Sequence, residues 1–199
     1  MIIRKKIEEN KTQKESNLLE SAFKLFTDKG IKDTSIQEIA DNAGVGKGTF
    51  YLYFKDKYDI QEQLITRKSN KLFNDALKKL SKENIDKFDE QIIFIINYVI
   101  DELTKNTILL KFISKNLSFG VYNSKLNHLV DEKLGIKEMF LNGVKENNLK
   151  LKNPDVTLFM IIELTSSTCF SCILNKEPLP INEYKPYLFE EIKRLLKEN

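Results

Sequence analysis

Residues 34–57 read TSIQEIADNAGVGKGTFYLYFKDK, from Thr34 to Lys57, and the spacing within this stretch decides the fold. Thr34 and Ser35 each offer an N-cap hydroxyl. Gln37 and Glu38 lie three residues further on, so either register makes a capping box. Ile36, Ile39, Ala40 and Ala43 share the inward face of a short helix. Ala43-Gly44-Val45 closes it, with Gly44 suited to the left-handed position beyond the last turn. A further short helix, about Lys47 to Tyr53, buries Phe50 and Phe54 at a spacing of one helical turn. Helices this short are marginal alone and must lean on a neighbour. The neighbour lies upstream, where Leu18, Leu19, Ala22, Phe23 and Phe26 follow helical periodicity from Glu15 until Gly30 supplies a stop. Three helices so arranged present the third as an outward ridge, a shape that a DNA major groove accepts.

The residues left on that ridge are Lys47, Gly48, Thr49, Tyr51 and Tyr53. They lie in a window, Asn42 to Lys55, that contains no Asp or Glu. In a chain that is 31% charged, such a gap leaves a locally positive, hydrogen-bonding surface of the kind phosphates and base edges require. Gly48 would let the helix start approach a duplex closely. The overall charge carries no such message. The net charge is +3, and residues 1–60 hold 11 Lys or Arg against 10 Asp or Glu, so any nucleic-acid reading rests on local placement. Taken singly, Lys47 could be a solvated surface lysine and Tyr51 and Tyr53 half-buried packing residues.

Three runs in register carry a family resemblance. They are Ala22-Phe23-x-Leu25-Phe26-x-x-x-Gly30, then Thr34-Ser35-Ile36-x-x-Ile39-Ala40-x-x-Ala43-Gly44-Val45, then Gly48-Thr49-Phe50-Tyr51-x-Tyr53-Phe54-x-x-Lys57. Over about residues 15–65 the chain resembles the N-terminal signature of tetracycline-repressor-like (TetR/AcrR) regulators. The resemblance implies that Lys47 contacts bases, that Thr49, Tyr51 and Tyr53 bind phosphate, and that Lys57 clamps the DNA backbone. Ser35, at the start of the second helix, offers one more phosphate contact, since exposed amides there favour anions. Beyond residue 65 the likeness is one of length and helical character only.

Seven Gly and four Pro in 199 residues leave few breakers and favour an all-α chain. A fourth helix is expected from Asp56 to about Leu80, and others near 88–104, 107–117, 122–147, 155–175 and 184–198. The expected organisation is a flexible basic arm over 1–14 (Arg4, Lys5, Lys6, Lys11, Lys14), a helix-turn-helix head over 15–60, and a sensing and dimerising domain over 61–199. Helix 155–175 is apolar on nearly every side and must be covered on both. Its own domain and a partner subunit would do so, with Leu188, Ile192, Leu195 and Leu196 of the last helix completing a four-helix interface. The aromatics Phe94, Tyr98, Phe112, Phe119, Tyr122, Phe140 and Phe159 read as ordinary core or as the lining of an apolar effector pocket. Glu163, an acid within an apolar helix, needs a partner, solvent or a cationic ligand.

Cys169 and Cys172 form a C-x-x-C, but neither a thioredoxin context nor four zinc ligands accompany it, so they read as buried small hydrophobes. The one histidine, His128, lies in a polar helical segment without a triad pattern, and no cofactor or metal motif is visible. No apolar leader opens the chain, and the stretch Val156 to Leu174 is interrupted by Glu163, so a cytoplasmic protein without a membrane span is expected. These readings converge on a homodimeric repressor that binds a palindromic double-stranded operator and is released by a small molecule. A ligand-independent regulator or an activator of the same family remains open, as does a structural helical protein that binds no DNA. An enzyme lacks a catalytic constellation.

Overall fold

The computed structural model describes residues 2–123 and 135–197, with side chains from residue 10 onward except that of residue 115. Every regular element among the described residues is a helix. The chain divides into two compact units, Met1–Leu64 and Ile65–Asn199. The expected boundary lies a few residues earlier, at residue 60.

The first unit contains α1 (Ile2–Asp28), α2 (Ile36–Asn42), α3 (Lys47–Phe50) and the start of α4 (Lys57–Leu80). The expected flexible arm over 1–14 is, from Ile2, the opening turns of α1. Its charged residues lack apolar periodicity, but nothing among them breaks a helix, so α1 propagates back through them. The side chains of Arg4, Lys5 and Lys6 lie outside the described residues, while Lys11 and Lys14 are exposed. Leu18, Ala22, Ile39, Phe50, Phe54 and Ile60 fill the core of this unit. The buried hydroxyl of Ser21 ties α1 to α2 by donating to the Ile39 carbonyl at 2.8 Å.

The ends of α2 follow from its sequence. Ser35 is the N-cap: its Oγ accepts from the Glu38 amide at 3.2 Å, and the Ser35 amide donates to Glu38 Oε2 at 2.8 Å. Gly44 takes a φ of 70°. The Gly44 amide then bonds the Asp41 carbonyl and the Val45 amide that of Ala40, a Schellman closure. The expected third helix shortens to Lys47–Phe50, because the next amides bond three residues back: Leu52 to Thr49 and Tyr53 to Phe50. That tightening turns Phe54 into the core, where it is 2% exposed. Asp56 then caps α4, its Oδ1 accepting from the amides of Tyr58 and Asp59 at 2.8 and 2.9 Å.

The second unit holds the rest of α4, then α5 (Phe88–Lys105), α6 (Thr107–Ile113), a 3₁₀ turn (Ser114–Asn116), α7 (Leu117–Tyr122), α8 (Ile136–Glu146), α9 (Pro154–Leu174) and α10 (Ile181–Leu195). The expected helix 107–117 is therefore interrupted by the 3₁₀ turn. Of the expected helix 122–147, Ile136–Glu146 is helical and starts afresh after Gly135, while residues 124–134 lie outside the described residues. His128 lies outside the described residues. Asn106 separates α5 from α6 and caps the latter, its Oδ1 accepting from the Leu109 amide at 2.9 Å. Asn153 caps α9, with Pro154 in the first turn, where a missing N–H leaves no bond unmade. Phe88, Ile95, Ile100, Leu110, Ile113, Leu117, Phe140 and Leu188 centre the core. At Gly143, α8 meets α5 so closely that a Cβ would lie 2.0 Å from the Phe88 ring. Lys185 of α10 pairs with Asp101 of α5.

By length and composition Pro154–Leu174 could cross a membrane. One side of it, however, is packed into its own unit through Leu158, Ile161, Ile162, Thr165, Cys169 and Cys172.

Candidate nucleic-acid interface

The Schellman turn at Gly44 and the Phe50 and Phe54 anchors hold the stretch 46–53 as a rigid corner, and its side chains divide sharply. Phe50 points wholly inward; Lys47 and Gly48 are exposed; Tyr51 is 52% and Leu52 78% exposed. Tyr51 stands edge-on to Phe50 with ring centroids 5.5 Å apart, so its ring is braced while its hydroxyl faces out. Thr49 and Tyr53 are half-buried, Tyr53 lying 6.3 Å from the Phe54 ring. Nothing lies within 4 Å of a Cβ built on Gly48, so the fold does not require a glycine there. The surface around this corner carries Lys47 and Lys55 and no acid from 42 to 55. Leu52 and Lys55 were missed in the sequence reading. Both lie in the acid-free window, and exposure of an apolar Leu52 has no sequence signature.

Two of the expected contact residues make hydrogen bonds within the protein. The Ser35 hydroxyl is engaged by Glu38, which it meets both as acceptor of the amide and as donor to Oε2 at 2.9 Å. The Glu38 carboxylate thereby occupies the place beside the α2 start that an anion would take. A hydrogen bond from Lys29, reinforced by the Ser35 amide and hydroxyl, holds its pKa down to about 2. Ser35 is the N-cap of α2. Lys57 also bonds within the protein, its Nζ donating to the carbonyls of Ile31, Lys32 and Thr34 at 2.8, 3.0 and 3.1 Å.

In the second unit the expected pocket residues differ in burial. Phe140 is fully buried against Phe88, with centroids 5.7 Å apart, and is core. Phe119 and Phe159 are 37% and 45% exposed and face outward. Phe94, Tyr98, Phe112 and Tyr122 are half-buried. Tyr122 joins three elements: its hydroxyl donates to the Asp155 carbonyl at 2.8 Å, its ring meets Phe159, and Lys137 sits 4.9 Å over its face. Burial, then the Asp155 charge, raises its pKa to about 12. Glu163 accepts a hydrogen bond from the Ser118 hydroxyl and is half-buried. Sequence reasoning missed the buried hydroxyls of Thr66, Ser69, Ser114 and Thr165, which have no hydrogen-bond partner among the described residues. Cys169 and Cys172 are both buried. Burial, then the neighbouring Cys172, pushes the Cys169 thiol up to about 12, and burial raises Cys172 as well, so neither is a ready nucleophile. Among the described residues no group of three or more His, Cys, Asp or Glu could hold a metal.

A trihelical unit with a braced, exposed, acid-free third helix defines a helix-turn-helix head of the DNA-binding class. Residues 18–64 match the family model described as bacterial regulatory proteins, tetR family. Over 172 residues, 81% of this chain and 85% of the relative, the chain is 25% identical to the HTH-type transcriptional regulator YhgD of Bacillus subtilis (strain 168). Its fold matches a putative tetR family transcription regulator from Shewanella sp. PV-4, with a TM-score of 0.71, 20% identity and coverage of 94% and 99% of the two chains. It also matches the transcriptional regulator FadR from Bacillus subtilis in complex with stearoyl-CoA, with a TM-score of 0.59, 18% identity and coverage of 89% and 96%. Residues 18–64 thus carry the N-terminal head described for the tetR family, and the relatives and neighbours that the chain resembles are transcriptional regulators.

Proposed function

We propose that the protein is a ligand-responsive repressor of the cytoplasm that binds a palindromic operator as a homodimer and is released by a small molecule. The observation that carries this reading is the corner at which Lys47, Gly48 and Tyr51 are exposed beside the half-buried Thr49 and Tyr53, in a window without acids. Lys47 reaches base edges, and the hydroxyls of Thr49, Tyr51 and Tyr53 meet the phosphates that set the register. Two such heads enter successive major grooves, about 34–36 Å apart.

The dimer is formed by α9 and α10. Val156, Phe159 and Met160 are 49%, 45% and 39% exposed on the side of α9 turned away from its core, and Tyr187 of α10 is 63% exposed. A second copy of the same helices would cover them as an isologous four-helix contact. The effector enters the second unit. The partnerless hydroxyls of Thr66, Ser69, Ser114 and Thr165, with the Ser118–Glu163 pair, support a polar interior able to hold one. FadR of the same fold, solved with stearoyl-CoA, supports occupancy by a small molecule. Binding there moves α4, changes the separation of the two heads and weakens the operator complex by about 1–3 kcal/mol.

Selection of bound sequences from random DNA, repeated with candidate ligands, tests the reading. A palindrome with half-sites about one helical turn apart is expected, with affinity that falls steeply as salt rises. Enrichment of no sequence, or affinity indifferent to salt, would remove it.

A further inference from the structure

We propose that α7 is a strut between α9 and α4, and that Gly120 is the positioning residue on which α4, and with it the DNA-binding head, is set. The inference rests on the DNA-binding reading above and adds the contact through which it is regulated. Six residues long, α7 cannot stand alone and takes its place from its neighbours. Ser118 and Tyr122, one turn apart, fasten it to α9. The Ser118 hydroxyl donates to the Glu163 carboxylate, and the Tyr122 hydroxyl donates to the Asp155 carbonyl at 2.8 Å. The Tyr122 ring stands edge-on to Phe159, with centroids 5.9 Å apart. Asp155, Phe159 and Glu163 recur every four residues, so these contacts follow one stripe of α9.

Gly120 lies two residues from each fastening, about 200° round the helix, and faces the other way. There it meets α4. A Cβ on Gly120 would lie 2.5 Å from Ser69 Cβ, 2.6 Å from Ser69 Oγ and 3.3 Å from the Ile65 carbonyl oxygen. No rotamer change relieves such a clash, because a serine Cβ and a carbonyl oxygen are fixed to the backbone. Ser69 is fully buried and its hydroxyl has no hydrogen-bond partner among the described residues, so packing makes this seat. Close-packed contacts of this kind pass on displacement instead of absorbing it. Ile65 and Ser69 stand in the first turns of the second unit, on a helix that runs unbroken from Lys57. A shift at Ser69 is therefore handed along one rod to the head. The other end of the strut rests on Phe159, which shares the exposed side of α9 with Val156 and Met160.

A size swap across the seat tests the strut in the full-length protein. Gly120→Ala adds one methyl, which must push α4 aside. Ser69→Gly removes the atoms it would strike, and the helix propensity gained at 120 offsets that lost at 69. Each variant is read by operator affinity and by the distance between the two heads of the dimer. Pulsed dipolar EPR supplies that distance from a nitroxide on Asp28→Cys, an exposed position at the end of α1. Burial of Cys169 and Cys172 directs the label to the new thiol. Gly120→Ala should bind operator about tenfold more weakly or worse and shift the inter-head distance. The double variant should bring affinity back to within about threefold of the parent and restore the distance. Gly143→Ala, an equally tight contact made to α5 instead, is the control: it should lower the urea midpoint and leave the heads where they were. Parental affinity with an unmoved distance in Gly120→Ala overturns the proposal. A double variant no nearer the parent than the single one overturns it too, as does a shift of equal size in Gly143→Ala. If Gly120→Ala fails to fold, the double variant decides by folding and recovering both readings or by failing to. If no DNA binds the parent, the DNA-binding reading falls and the distances alone decide the strut.

Discussion

An exposed lysine at the start of a helix, as Lys47 is, has only solvent to give up when a duplex arrives. Lys47→Ala should therefore cost about 1–3 kcal/mol of operator binding and relax preference at one base position. Tyr53→Phe should weaken all sequences alike by about 1 kcal/mol, the worth of one hydrogen bond; competitive gel shifts with scrambled half-sites separate the two. Gly48 is tested by size. Since a Cβ there meets nothing in the protein, Gly48→Leu should leave stability within about 0.5 kcal/mol in thermal melts while operator affinity collapses. The carboxylate of Glu38 makes a pH prediction. Its folded pKa of about 2 lies below the ordinary 4.5, so its contribution is complete above 4.5 and is lost as pH falls from there towards 2. Thermal midpoints followed by circular dichroism should show that acid-side loss, and Glu38→Gln should flatten it. The exposure of Lys47, Gly48 and Tyr51 was legible from spacing. The bonds that Lys57 makes to the carbonyls of Ile31, Lys32 and Thr34 were not, because a motif records which residue stands at a position and not where its donors point.

Among the elements, the caps were the most legible feature. Hydroxyl, acid and glycine at fixed offsets located both ends of α2, and Asp56 marked the start of α4, because capping is a local chemistry of a few adjacent residues. The break after Ile113 was hidden for the opposite reason. Nothing in Ser114-Lys115-Asn116 forbids a helix, so no sequence signal marks the 3₁₀ turn. The tight approach at Gly143 is equally invisible without the Phe88 ring, since a glycine within an apolar helix reads only as a weak point. It yields a clear expectation. In Gly143→Ala the new methyl would fall 2.0 Å from a buried ring carbon, and displacing that ring should cost about 1–3 kcal/mol. Urea melts of the parent and variant measure it, and equal midpoints would mean that Phe88 can swing aside freely.

For the whole molecule, the small head was readable because the motifs in register end near residue 65, and the structure divides the chain at Leu64 and Ile65. The apolar character of α9 announced a helix covered on both sides, and its outward Val156, Phe159 and Met160 fit that reading. Sedimentation velocity is the direct check. Met160→Asp should shift the protein from dimer to monomer and abolish operator binding at concentrations where the parent saturates, whereas an undisturbed dimer would move the interface elsewhere. The effector's chemistry was not legible, because the aromatics expected to line one pocket are scattered between core and surface, and the partnerless hydroxyls come from helices far apart in sequence.

The helix Lys57–Leu80 passes unbroken through the junction at residues 64 and 65. Cutting there would strand the last four carbonyls of a severed helix, so neither half is a natural fragment. Grafting this head onto another relative's sensor must be spliced in phase: one residue too many or too few rotates everything downstream by about 100°. A splice out of phase would turn Ile65, Leu72, Phe73 and Ala76 away from the core they fill.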